Sequence, residues 1–387
     1  MNADHFSLDD KPLQGRVRGT YINGRFLAAS PAGVHRVAEE LIVAVDRLFS
    51  MEPALATAFS LTLAIPRNVR RQPRFDQVGV RTMGQLTGVP WEQFDLACLT
   101  TSGLCVNLCN TGPLIRRNAM TMLHDAQVYS TPASYSRAFR LWYKIIQPLI
   151  GRRHKHILTV SNFSKSELVR YGIAPAEKIS VIPNGCDHIL SIRPDGTAAG
   201  RFGLLDRPYV LSLANIQFHK NIGILLDAFT DPVLKHTTLA LFGGATAADF
   251  AAIGRKAPEN VMFLGRITDA ELAGLMEGAA AFACPSLTEG FGLPPLEAMQ
   301  LGCPVIVAPC GALPEVCGDA ALTADPHDAT VWAAQILRLA ADESLRNDMR
   351  AKGKARAETF TWERAARQLL RVIAEAENIP LPELLLH

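Results

Sequence analysis

The chain has 387 residues, of which 48% are hydrophobic and 20% charged, the composition of a folded globular protein of about two domains. No segment reaches the roughly 18 uninterrupted apolar residues of a membrane span, and the polar, acidic first residues contain no apolar signal-peptide core, so we expect a cytoplasmic protein. The net charge of +2 is uneven, since residues 1–190 carry +8 and residues 191–387 carry −6. The basic first half predicts an anionic partner there.

Strand-like apolar runs and amphipathic helices alternate in the first half, the pattern of an α/β fold. We predict strands at 18–26, 54–65, 94–107 (with a turn), 119–123, 156–160 and 179–182, and helices at 34–49 and 136–150. A further helix begins within 161–167, where Ser164 and Glu167 have the spacing of a capping box.

Two stretches of this half are strongly basic. The first is a loop or short helix with Arg67, Arg70, Arg71, Arg74 and Arg81. The second is the helix at 136–150, where an apolar stripe of Phe139, Trp142, Ile146 and Ile150 opposes Arg137, Arg140 and Lys144, with Arg152, Arg153 and Lys155 following. We interpret both as solvated charges, the helix covering the core. The alternative is a patch for an anionic lipid surface or a diphosphate-linked acceptor.

The second half repeats the strand–helix alternation after a linker at 189–207. We predict strands at 209–213, 239–242, 261–264, 279–284 and 303–308, and helices at 222–229, 269–277, 296–301, 329–341, 345–359 and 362–377. Glycines after the strands indicate a doubly wound parallel sheet. No G-x-G-x-x-G follows a strand, so a nicotinamide-binding function is disfavoured. The eight scattered cysteines form no C-x-x-C pair and are interpreted as reduced thiols.

Polar residues just past predicted strands are candidates for a ligand crevice, because the carboxyl ends of parallel strands meet there. His124 and Asp125 follow the strand at 119–123. Lys220 lies in a loop that opens a helix, where a lysine is well placed to bind a phosphate as a point charge.

The string EGFGLPPLE, from Glu289 to Glu297, contains the densest set of candidate residues. Its glycine-containing loop delivers backbone N–H groups next to the N-terminus of a helix that Pro294 and Pro295 open, a ready site for a phosphate or diphosphate. The two flanking carboxylates can accept hydrogen bonds from vicinal sugar hydroxyls. The alternative is that Glu297 only caps the helix and that Glu289 is an exposed loop residue. The string taken as a whole disfavours this alternative.

At these residues the chain resembles glycosyltransferase family 4, retaining enzymes with the GT-B fold of two Rossmann-like α/β domains facing across a cleft. The resemblance is strongest over 214–221 and 284–315. It implies an acceptor-binding domain at 1–188, a linker at 189–207, a nucleotide-sugar-binding domain at 208–360 and a helix at 361–387 that crosses back to the first domain.

The resemblance also implies roles for single residues. Glu289 and His124 would lie beside the transferred sugar, Lys220 on the donor diphosphate and Glu297 on the nucleotide ribose. The backbone of Gly290, Phe291, Gly292 and Leu293 would meet the diphosphate and sugar, and Gly33 belongs to an acceptor-side loop. Asn215 stands where many members have an arginine on the donor, which leaves that second contact open.

We therefore predict a retaining hexosyltransferase that moves a sugar, from GDP-mannose or a UDP-sugar, to a glycan or lipid-linked acceptor in cell-surface polysaccharide synthesis. No cofactor, metal or nucleic-acid partner is expected, and the basic half suggests peripheral contact with the anionic inner face of the membrane. Two alternatives stay open: a nucleotide-sugar epimerase on a similar fold, which needs acid–base groups at the sugar carbon, and a nucleotide-sugar-binding protein without turnover.

Overall fold

The computed structural model describes residues 19–30 and 32–380, and within them the chain forms two all-parallel sheets. The first has the strand order β3-β2-β1-β4-β5-β6-β7 and the second β10-β9-β8-β11-β12-β13. The strands of the first sheet are β1 (Thr20–Asn23), β2 (Leu61–Ile65), β3 (Gly79–Thr82), β4 (Leu104–Asn107), β5 (Ala119–Met122), β6 (His156–Thr159) and β7 (Ile179–Val181). Those of the second are β8 (Tyr209–Ala214), β9 (Thr238–Gly243), β10 (Val261–Gly265), β11 (Ala281–Cys284), β12 (Val305–Val307) and β13 (Leu322–Thr323).

Helices alternate with these strands, as the crossover connections of parallel strands require. In the first half they are α1 (Gly33–Met51), α2 (Pro53–Phe59), α3 (Gly88–Pro90), α4 (Ala97–Leu99), α5 (Gln127–Ser130), α6 (Arg137–Arg153) and α7 (Asn162–Arg170), with a π-helical segment, Trp91–Leu96, joining α3 to α4. The later helices are α8 (Ala198–Arg201), α9 (Gly223–Ala228), α10 (Ala247–Ala252), α11 (Asp269–Gly278), α12 (Leu293–Gln300), α13 (Leu313–Cys317), α14 (Ala329–Ala341), α15 (Glu343–Ala357) and α16 (Trp362–Glu377).

Most predicted elements are present, but two strand predictions were partly wrong. Residues 53–59 form α2, which begins at Pro53, ends at Phe59 and is followed by Ser60 in the left-handed conformation, so only 61–65 is a strand. Residues 94–99 are helical, and only Leu104–Asn107 is a strand. The capping box predicted at Ser164 was also wrong, because the Ser161 side chain caps α7 by accepting a hydrogen bond from the Ser164 N–H. The first residue of the strand predicted at 18–26 lies outside the described residues, as do 1–18 and 381–387 of the predicted domains.

The apolar stripe predicted to cover the core along α6 does so over only half its length. Ile146 and Ile150 are fully buried, whereas Phe139 is 40% and Trp142 41% exposed. Leu141 and Ile145 are exposed as well. The first turns of α6 therefore present large apolar side chains to solvent among the basic residues of the same helix.

The chain crosses between its halves twice, and the crossings touch. The Cys186 N–H donates to the Phe360 carbonyl at 3.0 Å, and the Asp187 carboxylate accepts from the Trp362 N–H at 2.8 Å. After the second crossing α16 packs on α1, with Leu369, Leu370 and Ile373 in the same core cluster as Leu41 and Leu48. The last described helix is thus part of the first half.

In both sheets the strand order reverses beside the first strand, between β1 and β4 and between β8 and β11. Loops at the carboxyl ends of these strands diverge to opposite faces and leave a crevice. The residues that follow β8 and β11 therefore lie where a ligand of the second half is expected.

Candidate active site

The side chains of Lys220 and Glu289 meet at the crevice of the second sheet. Lys220 ends a short 3-10 turn after β8, and Glu289 lies in the loop after β11. Because β8 and β11 are parallel neighbours, both loops leave the same edge of the sheet. The Nζ atom of Lys220 lies 2.7 Å from Oε1 of Glu289. This cation and carboxylate make a site suited to a charged, polar ligand.

The Lys220 ammonium keeps its charge in spite of its burial. Burial alone lowers the pKa of Lys220, but the adjacent Glu289 carboxylate outweighs this effect, and the pKa is raised above its ordinary value. Lys220 is therefore protonated at neutral pH and can offer its charge to an anion that replaces Glu289.

Between Glu289 and α12, the loop 290–293 presents backbone rather than side chains. Phe291 is 5% exposed, and its ring packs edge-on against Phe360 with 5.7 Å between ring centroids. Gly292 is the N-cap of α12 at φ +100°, a conformation that favours glycine. Pro294 and Pro295 follow Leu293 and have no N–H, so the backbone donors for an anion are those of residues 290–293, at the positive end of the α12 dipole.

Gly290 connects this loop to the first half of the chain. Its carbonyl accepts hydrogen bonds from the hydroxyls of Ser161 at 2.6 Å and Ser164 at 3.0 Å, both at the start of α7. A Cβ at position 290 would lie only 2.7 Å from the His124 carbonyl oxygen. The two halves therefore approach each other here as closely as a glycine permits.

His124 lies after β5 as a buried, neutral histidine. Its Nε2 is 2.8 Å from the Leu108 carbonyl oxygen, so Nε2 carries the proton and Nδ1 is the acceptor. Burial lowers the pKa of His124 to about 4. Burial and the nearby Glu289 raise the pKa of the neighbouring Asp125, opposed by its bond from the Gln127 N–H and by Lys220. His124 is thus a hydrogen-bonding group at neutral pH rather than a charge.

Glu297 is buried in the first turns of α12, where its neighbour is a histidine that sequence reasoning did not single out. Oε1 of Glu297 lies 3.1 Å from Nε2 of His188, whose side chain is 4% exposed. His188 follows the first chain crossing in the 3-10 turn Asp187–Ser191.

The two remaining predicted residues lie at the margins of the cleft. The Asn215 side chain accepts a hydrogen bond from the Gln217 N–H at 2.8 Å and so shapes the loop before Lys220. Gly33 begins α1, and a Cβ there would meet no atom within 4 Å. It lines a cleft of about 680 Å³ between the halves, where the side chains of Arg36 and Asp269 are 2.8 Å apart.

A pocket of about 300 Å³ in the first half, lined by both polar and apolar residues, was not predicted from the sequence. Its wall contains Arg25, after β1, and Glu92, in the π-helical segment; Nε of Arg25 is 3.1 Å from Oε2 of Glu92, and the Glu92 side chain is 2% exposed. Tyr143 of α6 and Asn110 also line it. Glu92 lies just before the strand predicted at 94–107 and was assigned to no element, so only the fold reveals this pair.

Glu315 of α13 is a second contact that the sequence did not reveal. Its carboxylate accepts hydrogen bonds from the N–H groups of Asn162 at 2.9 Å and Phe163 at 3.0 Å, at the N-terminus of α7. A capping carboxylate from the other half of the chain leaves no local sequence signal. Together with the contacts of Gly290, it holds the second half against the start of α7.

In the described part of the chain, no group of three His, Cys, Asp or Glu side chains is arranged to hold a metal ion. None of the helices within 19–30 and 32–380 combines the length and apolar character that a bilayer span needs. All eight cysteines are free thiols; Cys98 is exposed, and Cys105, Cys186, Cys284, Cys303 and Cys317 are buried.

Two family profiles match the chain. The profile described as glycosyl transferases group 1 matches residues 201–356, and the profile of glycosyltransferase family 4 matches residues 54–189. Among curated proteins, the O-antigen chain mannosyltransferase B of Escherichia coli is 33% identical over 265 residues, which cover 65% of this chain and 69% of that relative.

Solved structures share the whole architecture at low identity. Sucrose-phosphate synthase from Thermosynechococcus elongatus superposes with a TM-score of 0.71 at 20% identity, over 92% of this chain and 98% of the other. The Anabaena protein HepE, in complex with UDP-glucose, gives a TM-score of 0.68 at 18% identity, over 92% and 99% of the two chains. At these identities the likeness shows the fold.

Proposed function

Since this chain belongs to glycosyltransferase family 4, we propose that it transfers a hexose, with mannose the first candidate, from a nucleotide-sugar donor to a glycan or lipid-linked acceptor. The predicted GT-B fold is confirmed by the solved neighbours, and the predicted glycosyltransferase activity by the family and its curated relative. Retention of configuration is what the family resemblance implies. The O-antigen relative supports a place in cell-surface polysaccharide synthesis and GDP-mannose as the first donor to test, with UDP-sugars second.

One observation carries the proposal: the contact of Lys220 with Glu289 beside the N-terminus of α12. In the donor complex, a diphosphate oxygen replaces the carboxylate at Lys220, and the N–H groups of loop 290–293 bind the remaining oxygens. Charge grows on the leaving diphosphate as its bond to the sugar breaks, and the same groups stabilise it. Glu289, released from Lys220, accepts hydrogen bonds from hydroxyls of the transferred sugar.

His124 and Glu297 complete the donor site. Glu297 binds the ribose hydroxyls, since it is a buried carboxylate on the same helix that receives the diphosphate. His124 keeps its proton on Nε2, bonded to Leu108, which leaves Nδ1 to accept from a sugar hydroxyl. Because His124 stays neutral, it adds no charge to compete with Lys220 for the diphosphate.

The pocket of Arg25 and Glu92 receives the sugar at the end of the acceptor. Arg25 and Glu92 neutralise each other, so the pocket offers hydrogen bonds without a net charge, which suits a neutral saccharide. It adjoins the donor site, because Leu108 and Asn110 line it and both bond to His124. A volume of about 300 Å³ accommodates a monosaccharide unit with water.

A peripheral contact with an anionic membrane would bring a lipid-linked acceptor to this pocket. Tyr143 of α6 and Asn68 of the basic loop both line the pocket. Close to them in the sequence are the exposed apolar side chains Leu141 and Trp142 and the exposed Arg70 and Arg71. Apolar and basic residues together are typical of helices that bind the membrane surface.

The deciding experiment incubates the purified protein with GDP-mannose or a UDP-hexose and an α-mannoside oligosaccharide. Transfer releases the nucleoside diphosphate in step with a lengthened glycan, and Lys220→Met, which lacks only the charge, abolishes that release. An epimerase would change the donor sugar without an acceptor, and a binding protein would leave both substrates intact. Either of these two results would overturn the proposal.

A further inference from the structure

His188 occupies the junction where both chain crossings meet the proposed donor site. It follows the contact between Cys186 and Phe360, and its side chain, 4% exposed, lies between α12 and the start of α16. One ring nitrogen faces Trp362 and the other faces Glu297. No other described histidine lies within salt-bridge distance of a carboxylate.

Trp362 fixes the tautomer of His188. The indole Nε1 of Trp362 lies 3.0 Å from Nδ1 of His188, and an indole N–H only donates. Nδ1 is therefore the acceptor, and the proton of the neutral imidazole lies on Nε2. Asp187 holds Trp362 in place by accepting its backbone N–H at 2.8 Å.

The Nε2–H group points into the donor site without a completed hydrogen bond. It is 3.1 Å from Oε1 of Glu297, yet within the described residues no partner meets both the distance and the angle of a hydrogen bond. At 3.1 Å between these two atoms, a small rotation of the Glu297 carboxylate completes the bond. A buried donor held beside a carboxylate is costly unless that bond forms.

We propose that His188 is a positioning residue for the donor, building on the ribose-binding role proposed for Glu297. Its Nε2–H holds Oε1 of Glu297 and leaves Oε2 for a ribose hydroxyl, and Trp362 keeps the proton on the nitrogen that does so. The start of α16 thereby controls nucleotide affinity through two hydrogen bonds, without touching the nucleotide.

The test compares three variants by calorimetric titration with GDP and with UDP. His188→Leu keeps bulk but removes the donor, and should weaken nucleotide binding about tenfold, or about 1.4 kcal/mol. His188→Gln retains an N–H donor that needs no tautomer and should stay within about threefold of wild type. Trp362→Phe should weaken binding with His188 present and have no effect in the His188→Gln background.

Two controls separate positioning from packing. In a Glu297→Ala background, His188→Leu should cause no further loss, because the carboxylate that it positions is gone. His156→Leu, at a half-buried histidine bonded to Ser180, should leave affinity unchanged. If His188→Leu proves unfolded, the effect of Trp362→Phe in the wild-type and His188→Gln backgrounds still decides whether His188 positions Glu297.

Several outcomes would overturn the inference. Wild-type affinity in a folded His188→Leu variant, or equal effects of Trp362→Phe in both backgrounds, would show that His188 only packs. Failure of the wild-type protein to bind either nucleotide would instead overturn the donor site itself, and this inference with it.

Discussion

At the scale of single residues, the sequence predicted Lys220 and Glu289 as site residues but could not predict that their side chains are in contact. The site residues between Glu289 and Glu297 could be predicted because the glycines and both carboxylates lie in one short stretch of sequence. The contact between Lys220 and Glu289 depends on β8 and β11 being neighbours, which no local pattern encodes. His188 escaped prediction for the same reason, since its partners lie on α12 and α16.

Substitution of the two glutamates should separate binding from turnover. Glu297→Ala should weaken nucleoside diphosphate binding by about 2–3 kcal/mol, because a charge-assisted hydrogen bond to the ribose is lost. Glu289→Ala should lower kcat while leaving that affinity unchanged or tighter, since Lys220 is no longer neutralised before the diphosphate arrives. Calorimetry with the nucleoside diphosphate and steady-state kinetics measure the two effects. Equal losses of affinity in both variants would contradict the division.

Metal independence is a prediction about the same site. Lys220 and the N-terminus of α12 supply the positive charge that a leaving diphosphate requires, so we expect transfer to continue at full rate in EDTA. The measurement is the initial rate before and after chelation. Complete loss that Mg²⁺ or Mn²⁺ restores would refute this prediction.

At the scale of elements, prediction succeeded where local signals agreed. The helix predicted at 329–341 has the observed bounds, and the Asp328 side chain caps it by accepting from the Thr330 N–H at 2.9 Å. It failed at 54–59, where the predicted strand was extended over an apolar run whose alanines and leucine favour a helix, which Pro53 starts. The exposed turns of α6 could not be predicted, because helical periodicity identifies an apolar face but not the element that covers it.

Gly290→Ala should separate the loop 290–293 from the first half. The new Cβ would lie 2.7 Å from the His124 carbonyl oxygen and 3.0 Å from Cβ of Asp125, an overlap that costs about 1–3 kcal/mol unless the halves move apart. We expect a folded variant with a lower kcat, because the loop and His124 can no longer approach as closely. Gly196→Ala, where a Cβ meets nothing within 4 Å, is the matched control. Wild-type turnover in Gly290→Ala would mean that this close approach is dispensable.

Membrane binding should depend on the exposed turns of α6. Replacing Leu141, Trp142 and Ile145 by serine should reduce co-sedimentation with vesicles that contain anionic lipid, as should replacing Arg70, Arg71 and Arg74 by serine. Each basic residue near such a surface contributes about 1 kcal/mol, which high salt removes.

The control for this surface replaces Leu205 and Ile253, exposed apolar residues of the second half, by serine. That variant should sediment like wild type. Equal recovery of the wild-type protein with neutral and anionic vesicles at low salt would end the membrane proposal and leave the glycosyltransferase assignment intact.

At the scale of the whole molecule, the two-domain fold followed from motifs, whereas the way the halves fit together did not. The contacts of Glu315 with α7 and of Gly290 with Ser161 join positions more than 120 residues apart. The net charges of the two halves, +8 and −6, indicate attraction but not its location. Arg36 and Asp269 are one pair where these charges meet.

Stability of the whole chain should fall as the pH drops from 6.5 towards 4. Burial lowers the pKa of His154, and likewise of His124, to about 4, from about 6.5 in the unfolded chain. As the pH falls, the unfolded chain therefore binds protons before the folded chain does. The free energy of unfolding, which has its full value above pH 6.5, is lower by about 2 kcal/mol per histidine at pH 5. Burial raises the pKa values of Glu40 and Asp125, so these two carboxyl groups add stability as the pH falls and oppose the loss.

His154→Gln isolates this effect, since His154 lies away from the proposed donor site, bonded to Thr121 and Pro113. Urea unfolding at pH 7.5 and pH 5 measures the free energy of unfolding. Its decrease between the two pH values should be smaller by about 2 kcal/mol in the variant than in wild type. The exposed His327→Gln should behave as wild type. An identical pH dependence in His154→Gln would contradict the assignment.

The return of α16 to α1 also sets the order in which the chain can fold during its synthesis. The apolar face of α1, including Leu41 and Leu48, is complete only when Leu369 and Ile373 have been made. At about 5–20 residues per second, a ribosome needs about 10–40 s to reach them after the first half has emerged. During that interval the nascent first half exposes an apolar groove, so chaperones that bind such surfaces have their target there.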